Sequence, residues 1–253
     1  MLAQATGTYR ERPVAGSLHD HFVCAWVHSL PATETPPVVV VPDGCIDLQW
    51  LGGAWRIAGP DREAIVEDLA AGTTVVGFRF RPAHAAPWLE LPAIELVNRR
   101  VPLEELWGVE ARRLAEKASE ARDVAALAHV LETASACRRP PISASQLHMR
   151  AVFELLSTGV PPGRPVVAWL MRELAMSERT LRRHCEDAFG YGPKTLDRVL
   201  RFQRFLKLVR STRNAPAASL ALEAGYADQA HLARESRRLA ATTPREIATL
   251  LAD

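Results

Sequence analysis

The sequence predicts an α+β protein, with a small β-rich domain that includes helices at the N-terminus and an all-α domain at the C-terminus. Three observations support this: strand-like segments stop near residue 81, helical periodicity follows to the end, and one short pattern occurs twice in the helical part. A chain of 253 residues has room for two domains with separate cores. We expect one domain at residues 1–140 and the other at residues 145–253.

The N-terminal part contains five short segments rich in Val, Ile, Phe and Trp, separated by Pro, Gly and Asp. We predict strands at "FVCAWVH" (22–28), "VVVV" (38–41), "IDLQW" (46–50), "AWRIAG" (54–59) and "TVVGFRF" (74–80). From Pro82 on, "LEELWGVEARRLAEKASEA" and "VAALAHVLETAS" have the composition of two or three helices. "CRRPPISAS" (137–145) is typical of a linker, because its two prolines cannot lie inside a helix.

A repeated pattern marks the C-terminal part. "LAMSERTLRRHCEDAFGYGP" (174–193) aligns with "GYADQAHLARESRRLAATTP" (225–244), so that Ser177 corresponds to Asp228 and Pro193 to Pro244, 51 positions later. In each copy a short helix and a tight turn precede a second helix that Ser or Asp caps. Arginines lie on the outer side of each second helix. Each copy is therefore predicted to be a helix-turn-helix unit, the motif whose second helix enters the major groove of DNA.

The segment between the copies is predicted to be one long helix. No helix-breaking residue interrupts positions 193–211, and Pro193 suits a first helical position. Nineteen helical residues span about 28 Å at ~1.5 Å per residue, whereas one turn of B-DNA is roughly 34 Å. A stiff helix of this length can hold two second helices in successive major grooves on one face of a duplex.

Charge is distributed unevenly along the chain. Residues 145–253 hold 17 Lys and Arg against 11 Asp and Glu, a net +6, whereas residues 1–144 hold 14 against 18, a net −4. A basic domain beside an acidic one favours a nucleic-acid partner, although helices in solvent are often rich in Arg. The four cysteines are widely spaced and indicate reduced thiols. Since no signal-peptide core or membrane-length apolar run is found, we expect a cytoplasmic protein.

The repeated segments carry a family resemblance. The C-terminal domain closely resembles the AraC/XylS-type transcriptional regulators, most specifically in Ala224-Gly225-Tyr226, Asp228-Gln229, His231-Leu232, Arg234 and Thr243-Pro244. The N-terminal part, from "VVVVPDGCIDLQWLGGAWRIAGP" to "VPLEELWG", resembles an uncharacterised sensor-like module often found ahead of this DNA-binding domain. The resemblance thus spans nearly the whole chain.

The resemblance implies which positions contact DNA. Base-reading positions fall on the outer first turns of each second helix, and they correspond to Arg179, Arg182 and Arg183 in the first copy and to Gln229, Ala230, His231 and Arg234 in the second. Ser177 would lie close to the DNA backbone, and Lys194 and Arg201 could hold phosphates. Arg binds guanine O6 and N7 bidentately, and Gln binds adenine N6 and N7 in the same way.

Three positions depart from the family pattern. Cys185 and Ser236 stand where the family usually has Phe, and Ala241 stands where it usually has Gly. Cys185 can pack as a small hydrophobic residue. Ser236 is expected to bury poorly, which would make the second unit the looser of the two.

The N-terminal half offers weaker chemical signals. His19 and His21 share a face of an extended segment, as in some metal sites, but further ligands are not evident, and two surface histidines before a buried strand are the favoured explanation. Asp43 and Asp47 could form a carboxylate pair, but no nucleophile, base or phosphate-binding loop accompanies them. Five tryptophans could line a ligand pocket or fill the core: Trp26, Trp50, Trp55, Trp88 and Trp107.

Taken together, these features predict a sequence-specific DNA-binding transcription regulator without enzymatic activity, cofactor or metal. The expected partners are double-stranded DNA, RNA polymerase, a small-molecule effector at the N-terminal domain and a second copy of the chain. One alternative is a DNA-repair enzyme that carries this DNA-binding domain, but the zinc-held cysteine cluster of the alkyl-transfer version is missing from the sequence. The other alternative is a helical protein-interaction module.

Overall fold

The N-terminal half of the chain is built around antiparallel strands. The computed structural model describes residues 6–14, 16–33, 37–135, 140–212 and 216–251. Six strands form one sheet in the order β1-β2-β7-β4-β5-β8, and β3 pairs with β6 in a separate two-stranded ribbon. The strands are β1 (Thr8–Arg12), β2 (Phe22–Ser29), β3 (Val38–Val40), β4 (Asp47–Leu51), β5 (Ala54–Ala58), β6 (Ile65–Glu67), β7 (Thr74–Phe80) and β8 (Arg100–Pro102). All five predicted strands are present, whereas the sequence analysis did not predict β1, β6 and β8.

Helices make up the rest of the regular secondary structure in the described residues. Four belong to the N-terminal half: α1 (Ala85–Leu89), α2 (Leu103–Trp107), α3 (Val109–Ser119) and α4 (Val124–Ser135), together with short 3-10 helices at Gly16–Asp20 and Ala93–Leu96. Seven follow: α5 (Ala144–Thr158), α6 (Val166–Glu173), α7 (Glu178–Phe189), α8 (Pro193–Ser211), α9 (Ala217–Glu223), α10 (Gln229–Ala240) and α11 (Pro244–Leu250). The α+β fold class and the long helix over 193–211 are confirmed.

The two faces of the six-stranded sheet differ in polarity because side chains alternate along each strand. One face places Leu48, Ile57 and Phe78 in a core that α2, α3 and α4 cover. The opposite face, termed the polar face, carries Gln49, Arg56 and Arg79 and is free of those helices. The main core therefore lies on one side of the sheet, and the polar face holds only a smaller apolar cluster of Cys24, Trp26 and Val75.

Helix α8 is shared by two cores in the C-terminal half. Leu196 and Leu200 pack with α5, α6 and α7, whereas Phe202 and Phe205 pack with α9, α10 and α11. The two helix-turn-helix units, α6–α7 and α9–α10, are thus attached to successive stretches of one helix.

The two halves of the chain are in direct contact. Arg62 donates a hydrogen bond of 2.9 Å to the carbonyl oxygen of Gly190, and Gln203 donates one of 2.7 Å to that of Pro42. Val39 and Val41 pack against the core of the second unit. Residues 137–139 of the predicted linker lie outside the described part. Its last residues were assigned wrongly, because α5 already begins at Ala144, where the Ser143 side chain accepts a hydrogen bond from the Gln146 backbone N–H.

Candidate nucleic-acid interface

Helix α7 forms because its sequence supplies a cap and one apolar stripe. The Ser177 hydroxyl accepts a hydrogen bond of 3.2 Å from the backbone N–H of Thr180, which satisfies one of the free donors at a helix start. Leu181, Cys185 and Phe189 recur every fourth residue and are buried in the first unit's core. The opposite side of the helix is consequently left to polar residues.

The three arginines predicted to read bases lie on that exposed side of α7. The Arg182 guanidinium forms an ion pair of 2.8 Å with Glu186, which raises the pKa of Arg182. Arg183 lies 3.4 Å from the ring of His184. Arg179 is exposed and forms no hydrogen bond or ion pair with any described residue. The first turns of α7 thus present Arg179 and Arg183 with few competing contacts.

Lys194 and Arg201, the two predicted phosphate contacts, have different surroundings. Lys194 is exposed in the first turn of α8 and lines a surface cavity of about 320 Å³ together with Arg182 and Arg62. Arg201 instead bonds Asp197 at 2.7 Å and lies 5.4 Å from the centre of the Tyr226 ring. Arg201 therefore braces the fold between α8 and the second unit, and its contact with phosphate stays a prediction.

Helix α10 repeats the construction of α7. The Asp228 carboxylate accepts a hydrogen bond of 2.6 Å from the backbone N–H of His231. Gln229, Ala230 and Arg234 are exposed. His231 is half-buried, with its ring edge-on to Tyr226 at 5.2 Å, so it presents less of its surface than expected.

The core position of the second unit differs from expectation. Ser236 is fully buried rather than poorly buried, and its hydroxyl finds no hydrogen-bond partner among the described residues. Cys185, at the corresponding place in the first unit, packs as a small hydrophobic residue with its sulfur 3.9 Å from that of Met149. Burial raises the pKa of Cys185 to about 12, so this thiol stays neutral.

Arginines of α8 that the sequence analysis did not single out hold the two units together. Arg204 donates hydrogen bonds to the carbonyl oxygens of Leu156, at the end of α5, and Ala224, at the end of α9. Arg198 approaches Glu235 of α10 at 3.5 Å. The sequence signal for these roles was the placement of both arginines between apolar residues of α8.

The His and Asp residues that the sequence analysis singled out in the N-terminal half contact other protein groups. In the part of the chain that the structure describes, no three His, Cys, Asp or Glu side chains are grouped to hold a metal ion. His21 is buried against His84, with ring centres 5.8 Å apart, and burial lowers the pKa of His84 to about 4. Asp43 and Asp47 both bind Arg79, at 2.9 and 3.2 Å.

A cavity of about 480 Å³, termed the interdomain cavity, separates the polar face of the sheet from the C-terminal half. The strand β3 and residues Phe153, Leu200, Gln203 and Leu206 of α5 and α8 form the other walls. Of the five tryptophans, Trp55 and Trp88 are core residues, with Trp50 and Trp107 packed against them, and Trp26 lines this cavity. The sequence analysis named no ligand-binding residues, and these come from segments far apart in sequence.

Family models match both halves of the chain. Residues 170–249 match the model of a helix-turn-helix domain, and residues 10–102 match a domain of unknown function, DUF6597. The first match covers α7, α8 and α10. The chain is a DNA-binding transcription regulator with an AraC-type domain. The resemblance seen in the sequence is thereby confirmed.

One solved structure of ToxT from Vibrio cholerae shares the fold of this regulator, and two others are similar to a lesser degree. One crystal structure of ToxT superposes with a TM-score of 0.51 at 10% identity, over 97% of this chain and 100% of that chain. A structure from strain O395 has a TM-score of 0.49 at 10% identity and covers 89% and 96% of the two chains. A third, with a bound unsaturated fatty acid, has a TM-score of 0.49 at 10% identity over 95% and 98%.

Two further findings concern the sequence and the helices of this regulator. No curated protein matches its sequence. Among the described helices, none combines the length and the apolar character that crossing a membrane requires.

Proposed function

We propose that each chain reads two successive major grooves of DNA, with α7 in one and α10 in the next. The observation that carries this proposal is the equivalence of the two helices: each has 12 residues, each begins after a side-chain cap, and both are fixed to the same helix α8. A helix-turn-helix unit places the N-terminal residues of its second helix against base edges. One chain then supplies two reading helices, as a dimer of single-unit proteins does.

The exposed side chains support a division between base contacts and phosphate contacts. Arg179, Arg183, Gln229 and Arg234 are exposed on first turns and have the chemistry for bidentate base pairing. Arg182 and His231 would contribute less to base reading, because Glu186 pairs with Arg182 and the Tyr226 ring packs against His231. Ala230 offers its methyl group to thymine. Ser177 and Lys194 would contact phosphates at the start of α7 and α8.

The domain at residues 1–140 is proposed to regulate the DNA-binding domain at 145–253. The interdomain cavity supports a small-molecule effector, because its volume falls in the range of small-molecule sites and helix α8 forms part of its wall. We further propose that the regulator acts in the cytoplasm by binding rather than by catalysis, that it contacts RNA polymerase, and that it pairs with a second copy of the chain.

One pair of variants tests the reading model. On an operator obtained by selecting genomic DNA fragments, Arg183→Ala should weaken binding by ~1–3 kcal/mol and relax the preference at one base pair. Lys194→Ala is the matched control, and it should weaken all sequences about equally because a phosphate contact carries no sequence information. Binding to a set of single-base operator mutants measures both effects, and footprinting should locate two contacts about one helical turn apart. An unchanged base preference in Arg183→Ala, or a footprint in a single groove, would contradict the model.

A further inference from the structure

The interdomain cavity has one charged wall and one apolar wall. The charged wall is the polar face of the sheet with the adjoining loops, and its acidic members are Glu11, Asp43, Asp47, Asp61 and Glu67. The apolar wall is made by residues of the ribbon and of α8, among them Val39, Leu200 and Leu206. A molecule that fills this space meets charge on one side and hydrocarbon on the other.

One part of the charged wall is balanced. Arg100 binds Asp61 at 2.9 Å and Glu67 at 2.7 Å, and Arg56 binds Glu67 at 2.6 Å and Gln49 at 2.8 Å. Two guanidinium groups therefore face two carboxylates. Their mutual contacts lower the pKa of Glu67 despite its burial and raise that of Arg100. The net charge of this part of the wall is therefore zero, and it does not favour a charged ligand.

The part around Arg79 has an excess of negative charge. A single guanidinium serves Asp43 at 2.9 Å, Asp47 at 3.2 Å and Glu11 at 3.7 Å, which leaves two of the three negative charges without a cation of their own. Glu11 also accepts a hydrogen bond of 2.7 Å from the Tyr9 hydroxyl. Desolvation raises the pKa of Asp47 despite Arg79, and the charge of Asp43 raises it further. Besides Arg56, Arg79 and Arg100, the described lining contains Arg210 of α8, and these four guanidinium groups face five carboxylates, a net charge of −1. Uncompensated charge at a partly buried site is costly.

The same corner contains two aromatic rings and an unsatisfied donor. Tyr9 and Trp26 lie with their ring centres 5.8 Å apart and both line the cavity. Aromatic faces attract cations. Trp26 is more than nine-tenths buried, and its indole N–H faces the Asp47 carboxylate closely enough to lower the pKa of Asp47, but it forms no hydrogen bond of ordinary geometry with a described residue. A ligand acceptor next to the cationic group would satisfy that donor.

We infer that the interdomain cavity binds a small organic cation, with an ammonium group beside Glu11, Asp43 and Asp47, a neighbouring oxygen at the Trp26 indole, and an apolar body against β3 and α8. This inference gives a chemical class to the effector in the proposed function and rests on that function for its regulatory meaning. Occupancy would act on DNA binding through Leu200, Gln203 and Leu206, because α8 carries both reading units.

A matched pair of probes tests the sign of the charge. 2-Amino-1-phenylethanol and 3-hydroxy-3-phenylpropionate share a ring, a spacer and a hydroxyl group and differ in the charge of the end group. Isothermal titration calorimetry with the full chain, at neutral pH and without DNA, should show the amine binding at least about tenfold more tightly, since placing like charges together is strongly unfavourable. Tighter or equal binding of the carboxylate, or heat from neither probe, would overturn the inference.

Two variants locate the bound cation. Asp47→Asn and Glu11→Gln should each weaken binding of the amine several-fold and leave that of the carboxylate no weaker. Glu11 is half-exposed, so its variant keeps the test available if Asp47→Asn does not fold. Glu116→Gln, at an exposed position on α3, is the control and should bind the amine as the wild type does. Equal affinity of all four proteins for the amine would exclude this site. Because no DNA is present, failure here is distinct from failure of the DNA-reading model.

Discussion

The two helix-turn-helix units have second helices of equal length, yet they use glycine at different places. Each unit has two residues with left-handed backbone, one in the turn and one after the second helix. In the first unit these are Ala175 (φ 50°) and Gly190 (φ 78°), and in the second they are Gly225 (φ 90°) and Ala241 (φ 54°). Ala175 and Ala241 show that a left-handed position in these units can carry a side chain, whereas Gly190 has no space for one.

The cause lies in what covers each position. A Cβ atom at Gly190 would come within 2.6 Å of the Val97 side chain, 2.8 Å of Pro60 and 2.9 Å of the Ala93 carbonyl oxygen, all from the N-terminal half. Ala175, Gly225 and Ala241 are exposed. The end of α7 is therefore shaped as a docking surface for the N-terminal domain, whereas the end of α10 faces solvent.

The largest effect is expected for Gly190→Ala. The new methyl group would both strain the left-handed backbone and overlap the N-terminal half, at a cost of about 2–4 kcal/mol in the free energy of unfolding. Equilibrium unfolding in urea measures this cost. Gly225→Ala is the control, because its nearest neighbour, the Arg204 guanidinium, is 3.6 Å away and only backbone strain applies. Equal losses in the two variants would show that docking against the Gly190 position adds nothing to stability.

A second pair of variants exchanges the core residues at corresponding positions of the two units. Cys185→Ser would bury a hydroxyl beside the sulfur of Met149 and should cost about 1–3 kcal/mol. Ser236→Cys would remove a buried hydroxyl and should raise the free energy of unfolding by about 1 kcal/mol. Thermal and urea unfolding report both. A loss of stability in both variants would mean that the Ser236 hydroxyl is well accommodated and that the two cores are not interchangeable.

The smallest effect is expected for Ala241→Gly. Glycine adopts the left-handed conformation without strain, and after its greater freedom in the unfolded chain is subtracted, a gain of about 0.5–1 kcal/mol remains. The change in urea midpoint checks the gain. Ala175→Gly should behave similarly, since that residue is also exposed and left-handed. A stabilisation confined to one of the two sites would indicate a local contact rather than backbone strain.

Local patterns in the sequence predicted much of this structure. The caps Ser177 and Asp228, the apolar spacing of Leu181 and Leu232, and the unbroken run from Pro193 were sufficient for α7, α8 and α10, because helix signals lie within a few residues of each other. The DNA-binding role followed from the repeat and the family resemblance.

Features that depend on distant segments were missed. The three-residue strands β6 and β8 carry too short a pattern to identify. The contact of Arg62 with Gly190 joins residues 128 positions apart, and the approach of Arg201 to the Tyr226 ring was not predicted either. Pairing of polar groups across the chain is set by packing, so a side chain that appears free in the sequence can be occupied in the structure.

Arg204 has a consequence for the DNA that this regulator can accept. By bonding the carbonyl oxygens of Leu156 and Ala224, it fixes the end of α5 and the end of α9 to the same point of α8. The two units then have little freedom to twist about the axis of that helix. One additional base pair between two half-sites turns the second by roughly a tenth of a helical turn, and a torsionally rigid protein can follow this rotation only by deforming the duplex. If each chain reads two grooves as proposed, the regulator would measure the angular phase between two sites as well as their sequence.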